Sequence, residues 1–349
     1  MDRAPVMVAM SGGVDSSAAA ALLLDAGHEV VGVTMKLWGG PSDSGCCSVA
    51  DVDDARWVAD RLGIEHHVFN FGDDFERRVV APYVADHRAG RTPNPCIECN
   101  RHIKFDRLLR RAEALGFSRI ATGHHARVVP TAAGPRVGRG VDAAKDQAYV
   151  LHMLGPDVLG RLMLPVGELT KAEVRALAGS RGLITAAKPD SQDVCFITAS
   201  AGRRSFLGER IELHPATVVD GGGEVIGEVE ALELVSVGQR KGLGLAGGGQ
   251  PRYVVDVDAG SATVTVGSRA ELDVEVTPVE GWCWVGELVS VEVLVQTSAH
   301  GTASPAVIEP GGEPGLAVRW AGPHRRVAPG QSVVAFVDDL VVGGGIAAR

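Results

Sequence analysis

The chain is short of aromatic residues, 5% of its 349 positions, and no apolar run in it approaches the roughly 18 residues that a membrane-spanning helix needs. The second shortage excludes a helical membrane protein, and the first leaves a core made mainly of Val, Leu and Ala. The opening MDRAPVMVAMSGG has no basic region followed by a long apolar stretch and a small-residue cleavage site. No signal peptide is expected, and the chain is expected to be cytoplasmic. Cysteine is sparse as well. Six in a chain of this length do not make a disulfide framework, and in the cytosol they point to metal or redox chemistry instead. Positive charge is in deficit, with 34 Lys and Arg against 43 Asp and Glu. The net charge of -9 argues against nucleic acid as a partner until its distribution is considered. Residues 74–111 hold nine Arg or Lys against five Asp or Glu. That patch keeps RNA open, although a solvated helical face would explain it too.

What abounds is glycine, at 45 residues, so turns and close backbone approaches are frequent. The first half alternates strand and helix patterns: Val6–Met10, Ser16–Ala26, Glu29–Met35, Val49–Leu62, His66–Phe69, Lys104–Leu115 and Arg119–Gly123. Apolar strands without alternation, joined by helical crossovers, predict a doubly wound, mostly parallel sheet of Rossmann-like α/β type. Thr170-Lys171-Ala172-Glu173 is a capping box opening a helix to Arg181. Beyond about residue 200, short Val-rich segments between Gly turns replace helical periodicity: Ala216–Asp220, Tyr253–Val257, Ala262–Val266, Val289–Gln296 and Val333–Val337. The expected organisation is a catalytic domain over 1–200, a small β-rich module over 201–270 and a C-terminal β-barrel over 271–349.

The densest chemical signal is Ser11-Gly12-Gly13-Val14-Asp15-Ser16-Ser17, between the first strand and the first helix. Paired glycines admit an anion to the backbone, and a helix N-terminus offers N–H groups and the positive end of its dipole. Asp15 would repel a bare phosphate, so its presence implies Mg²⁺ between them. The run matches neither the Walker pattern nor G-x-G-x-x-G, and it has no Walker lysine, which disfavours P-loop chemistry at a γ-phosphate. It resembles the S-G-G-x-D-S loop of the N-type ATP pyrophosphatases (PP-loop enzymes), which cleave ATP to AMP and pyrophosphate. That resemblance implies a nucleotide site built from Ala9, Met10, Ser11, Gly12, Gly13, Val14, Asp15 and Ser16, with Met35 beside the adenine and Gly123 near the ribose or adenine. Taken alone, Met35 reads as a core methionine.

Two cysteine motifs stand apart from this loop, Asn94-Pro95-Cys96-Ile97-Glu98-Cys99-Asn100 and Lys188-Pro189-Asp190-Ser191-Gln192-Asp193-Val194-Cys195. With the loop, with Lys145-Asp146-Gln147-Ala148-Tyr149 and with Gly238-Gln239-Arg240-Lys241-Gly242-Leu243, they resemble the tRNA-specific 2-thiouridylase family over about residues 6 to 270. The resemblance implies ATP-dependent replacement of the C2 oxygen of the wobble uridine, U34, by sulfur. Cys195 would carry the persulfide, Cys99 would be the nucleophile, and a transient Cys99–Cys195 disulfide would remain for a cellular reductant. The persulfide sulfur would come from a cysteine desulfurase or a sulfur-relay protein. Arg101, His102 and Lys104 would favour the Cys99 thiolate.

The same resemblance assigns Asn94, Pro95 and Cys96 to the flipped base. His124, Lys145, Asp146 and Gln147 would meet the tRNA anticodon stem-loop, as would Ser298, Ala299 and Gln331 in the barrel. Many relatives carry Asp where Cys96 stands, and Arg-Tyr where Ser298-Ala299 stands. Cys96, Cys99 and Cys195 also suffice as three ligands of a [4Fe–4S] cluster, a lesser reading. Each cysteine alone reads as a small buried hydrophobe. Two other functions stay open at this point. One is an adenylating ligase or amidotransferase of a small molecule, and the other a tRNA-binding module with a vestigial nucleotide site.

Overall fold

The computed structural model describes residues 5–38, 48–190, 194–197, 202–245, 249–285, 292–311 and 315–349. Cys46 and Cys47, Ser191–Asp193 of the second cysteine motif, Gly247 and Gly248, and Val289–Val291 of one expected strand lie outside them. No described helix is long and apolar enough to cross a membrane. The chain divides into two compact units. One comprises Met1–Val79, Pro95–Ser200 and Asp339–Val341; the other comprises Val80–Asn94, Ala201–Asp338 and Val342–Arg349.

In chain order the first half runs β1 (Val6–Ala9), α1 (Val14–Asp25), β2 (Val30–Lys36), α2 (Val49–Leu62), β3 (Glu65–Asn70) and α3 (Gly72–Phe75). Then come α4 (Ala81–Arg88) in the second unit and α5 (Pro95–Cys99) back in the first. A π-helical stretch (Asn100–Arg107) leads into α6 (Leu108–Ala114), β4 (Arg119–Ala121) and the hairpin β5 (Ala126–Val129)–β6 (Arg136–Arg139). The unit is completed by α7 (Pro156–Leu159), β7 (Leu162–Met163) and α8 (Lys171–Ser180).

Its sheet is wholly parallel, in the order β3-β2-β1-β4-β7. β1 is buried throughout, as its run of apolar residues without polar alternation requires. Ala18 to Ala21 of α1 are fully buried, and their small side chains let the helix lie close to its neighbours. α1 shares one core with Val6 and Val8 of β1, Ala55 and Val58 of α2, and Val174 and Ala178 of α8. From β1 the strand order runs outward in two directions, to β2 on one side and β4 on the other. Such a reversal opens a crevice at the carboxyl ends of the two strands, which is where open α/β sheets bind ligands. The loops after β1 and β4 meet there.

The second unit starts, after α4, with α9 (Gly202–Gly208). A four-stranded sheet follows, β10 (Tyr253–Asp258)–β11 (Thr263–Gly267)–β8 (Ala216–Val219)–β9 (Val225–Val229). Alternate residues Val254, Val264, Val266, Ala216 and Val218 fill its core. The C-terminal strands are β12 (Asp273–Trp284), β13 (Glu292–Gln296), β14 (Ser304–Pro310), β15 (Leu316–Arg325), β16 (Ser332–Val337) and β17 (Leu340–Ala347). They run in the order β12-β15-β14-β13-β16-β17, and β12 pairs with β17 to close a six-stranded barrel. Closure leaves no open edge to aggregate. Its interior holds Val293, Val295, Val318, Trp320, Val333 and Ala335, and Trp320 satisfies its indole by donating to Thr277 Oγ1 at 2.9 Å.

One expected element takes a different form. The helix placed over Lys104–Leu115 is π-helical as far as Arg107 and α-helical from Leu108. Its cations are engaged inside their own unit. Arg107 Nε donates to Asp74 Oδ2 at 2.7 Å, with its guanidinium over Phe71, and Arg111 lies over Phe69.

Candidate functional site

The loop between β1 and α1 is shaped by its own hydroxyls. Ser16 Oγ and Ser17 Oγ both donate to Gly13 O, at 3.1 and 2.8 Å, and Ser16 Oγ accepts from Ser11 N at 3.2 Å. Gly13 is the N-cap of α1 and brings no side chain to its N–H groups, which an anion can then meet directly. Gly12 has φ +70°, and a Cβ there would lie 2.2 Å from Asp51 O at the start of α2. A Cβ on Gly123 would lie 2.5 Å from both the Asp15 carbonyl carbon and Ser16 N. Both glycines are therefore required by backbone contact. Met10 is buried and Met35 nearly so, both at the carboxyl ends of their strands, while Ser11 is exposed.

Asp15 is the hub of a polar cluster that local sequence patterns did not reveal. His125 Nε2 lies 3.0 Å from Asp15 Oδ1, and Lys171 Nζ donates to both Asp15 oxygens at 2.8 Å. Lys171 Nζ also lies 2.8 Å from Asp190 Oδ1. Asp190 in turn accepts from Lys145 Nζ at 2.7 Å and from Arg175 at 2.8 Å. Burial raises the Asp15 pKa, but the hydrogen bonds from His125 and Lys171 outweigh it and keep the carboxyl below its usual range. Burial opposes Asp190 likewise, and Lys145 and Lys171 hold it at about 2. The Asp190 bond raises Lys145 above the ordinary lysine value. Both carboxylates are thus ionised at neutral pH. Asp15 suits the Mg²⁺ that accompanies ATP, whose charge would offset the phosphate oxygens.

The remaining candidates fall into three settings. Lys145, Asp146 and Gln147, expected at RNA, brace the unit internally. Asp146 accepts from Arg139 at 2.7 Å and from Gly140 N at 2.9 Å, and Gln147 Oε1 accepts from His125 N at 2.8 Å. His124 is buried 2.6 Å from Thr122 Oγ1, and burial, then the Lys104 charge, push its pKa far down, so the imidazole is neutral. In the second unit Gln331 Nε2 donates to Thr92 O, two residues before Asn94. Ser298 and Ala299 offer their carbonyls to Gln296 Nε2 at 2.9 and 3.3 Å.

The cysteines make the third setting. Cys99 is buried at the end of α5, Cys96 is exposed, and Cys195 is half-buried in a turn. Phe196 anchors that turn by packing edge-on against Phe75, centroids 5.6 Å apart, and against Trp38. The helix that follows Cys99 rests on the neighbouring Asp74 through Arg107. Both cysteine segments therefore share α3 as a support. The cations expected to favour the Cys99 thiolate are partly claimed, since Glu98 lies 3.2 Å from His102 and 3.8 Å from Arg101. Among the described residues no three His, Cys, Asp or Glu side chains are grouped to hold a metal. Cys96, Cys99 and Cys195 are not among such a group in this structure.

With this geometry in view, the chain matches three family models in order. They are a tRNA methyl transferase HUP domain over residues 4–199, a tRNA methyl transferase PRC-barrel domain over 204–268 and an aminomethyltransferase beta-barrel domain over 277–347. Curated relatives match over nearly their whole length. The tRNA-specific 2-thiouridylase MnmA of Carboxydothermus hydrogenoformans is 46% identical, covering 98% of this chain and 97% of its own. That of Mycobacteroides abscessus is 47% identical over 96% of this chain and 95% of its own. The chain belongs to the tRNA-specific 2-thiouridylase family. Among solved structures, the U34-tRNA thiolase NcsA from Methanococcus maripaludis shows 19% identity and a TM-score of 0.37, over 60% of this chain and 64% of that one. The 2-thiouridylase membership rests on the full-length relatives and not on that distant likeness.

Proposed function

We propose that the protein is an ATP-dependent tRNA-uridine 2-sulfurtransferase acting on the wobble uridine, U34. The observation that carries the reading is the end-to-end match to 2-thiouridylases, together with a PP-loop at the sheet's topological switch. A uridine C2 carbonyl is a poor electrophile with a poor leaving group. Transfer of AMP to its oxygen, releasing pyrophosphate, makes that oxygen a good leaving group. Cys195 carries a persulfide, and the Cys99 thiolate attacks the Cys195 sulfur and displaces hydrosulfide. The hydrosulfide adds to C2, AMP departs with the former carbonyl oxygen, and a Cys99–Cys195 disulfide remains for a reductant. Loading requires a cysteine desulfurase or a sulfur-relay protein, and the reaction belongs in the cytoplasm with its tRNA. The extruded base meets Asn94, Pro95 and Cys96.

The test supplies purified protein with ATP, Mg²⁺, a persulfide donor and unmodified tRNA, and reads 2-thiouridine by nucleoside mass spectrometry. Product is expected from the wild type, and none from Cys99→Ser or Cys195→Ser. Normal turnover by either variant rules out the two-cysteine route. ATP–pyrophosphate exchange that needs no RNA would indicate a small-molecule ligase instead.

A further inference from the structure

The PP-loop has no lysine of its own, yet its carboxylate is held by one from far along the chain, Lys171, 156 residues away. That lysine is placed with care. Thr170 caps α8 in a reciprocal box with Glu173, and Lys171 N donates to Asp142 Oδ2 at 2.9 Å, so the backbone beneath the side chain is fixed. The side chain is 12% exposed, and its ammonium sits between Asp15 and Asp190. Two carboxylates share it, and each has other donors: His125 for Asp15, Lys145 and Arg175 for Asp190. It can therefore leave either one without stranding a buried charge. A lysine ammonium on a flexible stem is a good phosphate ligand. The N-terminus of α1, where phosphate oxygens would meet backbone N–H groups, starts one residue before Asp15.

We propose that Lys171 is the phosphate-binding cation of this PP-loop, and that its move from Asp15 and Asp190 to a phosphate signals nucleotide binding to the segment bearing Cys195. The inference rests on the sulfurtransferase reading and names a residue for its ATP step. Asp190 lies five positions before Cys195 in the same motif. Arg175 holds the backbone leading into Asp190 by donating to Ala186 O and Lys188 O at 2.7 and 2.9 Å, and Lys188 is clamped by Asp51 at 2.7 Å. When Lys171 turns to phosphate, Asp190 loses one of three cations, and its own anchorage, five positions before the persulfide cysteine, loosens. The polar groups that face Lys171 in this exchange are Asp15, Asp142, Asp190, His125 and Lys145.

Binding of inorganic pyrophosphate, MgATP and AMP to wild type, Lys171→Met and Lys171→Arg is measured by calorimetry, with thermal unfolding as the folding control. Lys171→Met should weaken pyrophosphate and MgATP about tenfold or more and AMP by less than about threefold, and Lys171→Arg should restore most of the loss. Pyrophosphate binding by a folded Lys171→Met at wild-type affinity overturns the assignment. A second measurement needs no variant. Pyrophosphate added to the wild type should change the iodoacetamide alkylation rate of Cys195 about threefold or more, while exposed Cys283 reacts unchanged. An unchanged Cys195 rate overturns the coupling. Failure of the enzymatic reading is distinguishable: the wild type would then make no AMP with tRNA, even if pyrophosphate binding depended on Lys171.

Discussion

At Gly123 one methyl group is enough to disturb the nucleotide loop, because the nearest atoms are the peptide joining Asp15 to Ser16 and cannot swing aside. Gly123→Ala should destabilise the protein by about 1–3 kcal/mol, the usual cost of overpacking a tight site. It should also weaken MgATP binding. A variant with wild-type affinity and an unshifted urea midpoint would show that the β4 loop yields. The same residues explain what a single sequence reveals. Ser11 to Ser17 announce themselves because seven adjacent residues build the loop from their own backbone and hydroxyls. His125 and Lys171 do not, because each reaches Asp15 across 110 and 156 positions, and only the folded sheet makes them neighbours. Asp146 and Gln147 show the converse. Their motif was legible, but their side chains brace backbone N–H groups of the unit itself.

Elements were easier to read than contacts, since periodicity and caps are local. The Thr170–Glu173 box opens α8 where the sequence places it, and the Val-rich runs become the strands of the central sheet and the barrel. The π-helical turn after Cys99 was not legible, because apolar spacing over two turns does not separate a π-helix from an α-helix. α8 offers a direct test. Thr170→Ala removes an N-cap and should cost about 1 kcal/mol in chemical denaturation. Because Lys171 is the next residue, pyrophosphate binding should weaken in the same variant. A stability loss with unaltered binding would separate the cap from the ligand. The turn bearing Cys195 gives another. Phe196 is its buried anchor, 4% exposed against Phe75. Phe196→Ala should release the turn locally and not unfold the whole unit, since short segments with few apolar contacts open below the global free energy. Faster alkylation of Cys195 at a nearly unchanged melting temperature is the expected result. A large fall in that temperature would make Phe196 part of the main core.

For the molecule as a whole, acid is the informative perturbant, because each unit buries a neutral imidazole. In the first unit burial holds His152 at about 4, with its Nδ1 2.9 Å from Tyr149 O. In the second, burial and then the Arg203 charge hold His87 at about 4, beside Glu233 O at 3.0 Å. Both folded values lie below the ordinary 6.5, so between these limits the unfolded chain binds more protons than the folded one. Stability from these two groups is therefore full above pH 6.5 and lost as the pH falls toward 4. The loss amounts to roughly 3 kcal/mol per imidazole at most. Asp190 continues the trend lower down. Its folded value of about 2 against an ordinary 3.8 puts its contribution above pH 3.8, and that contribution fades as the pH approaches 2. Denaturant unfolding at pH 7, 4 and 2 should thus show a first fall owed to histidine and a second owed to the Asp15–Lys171–Asp190 cluster. His152→Asn keeps a donor for Tyr149 O without a titrating ring, and should lessen the first fall in the first unit only, where buried His124 remains. Asp190→Asn should flatten the second and leave the first intact. If stability held level from pH 7 to 4 in the wild type, protonated imidazole would have to be tolerated at both buried sites, and the packing around His87 and His152 would be looser than their burial implies.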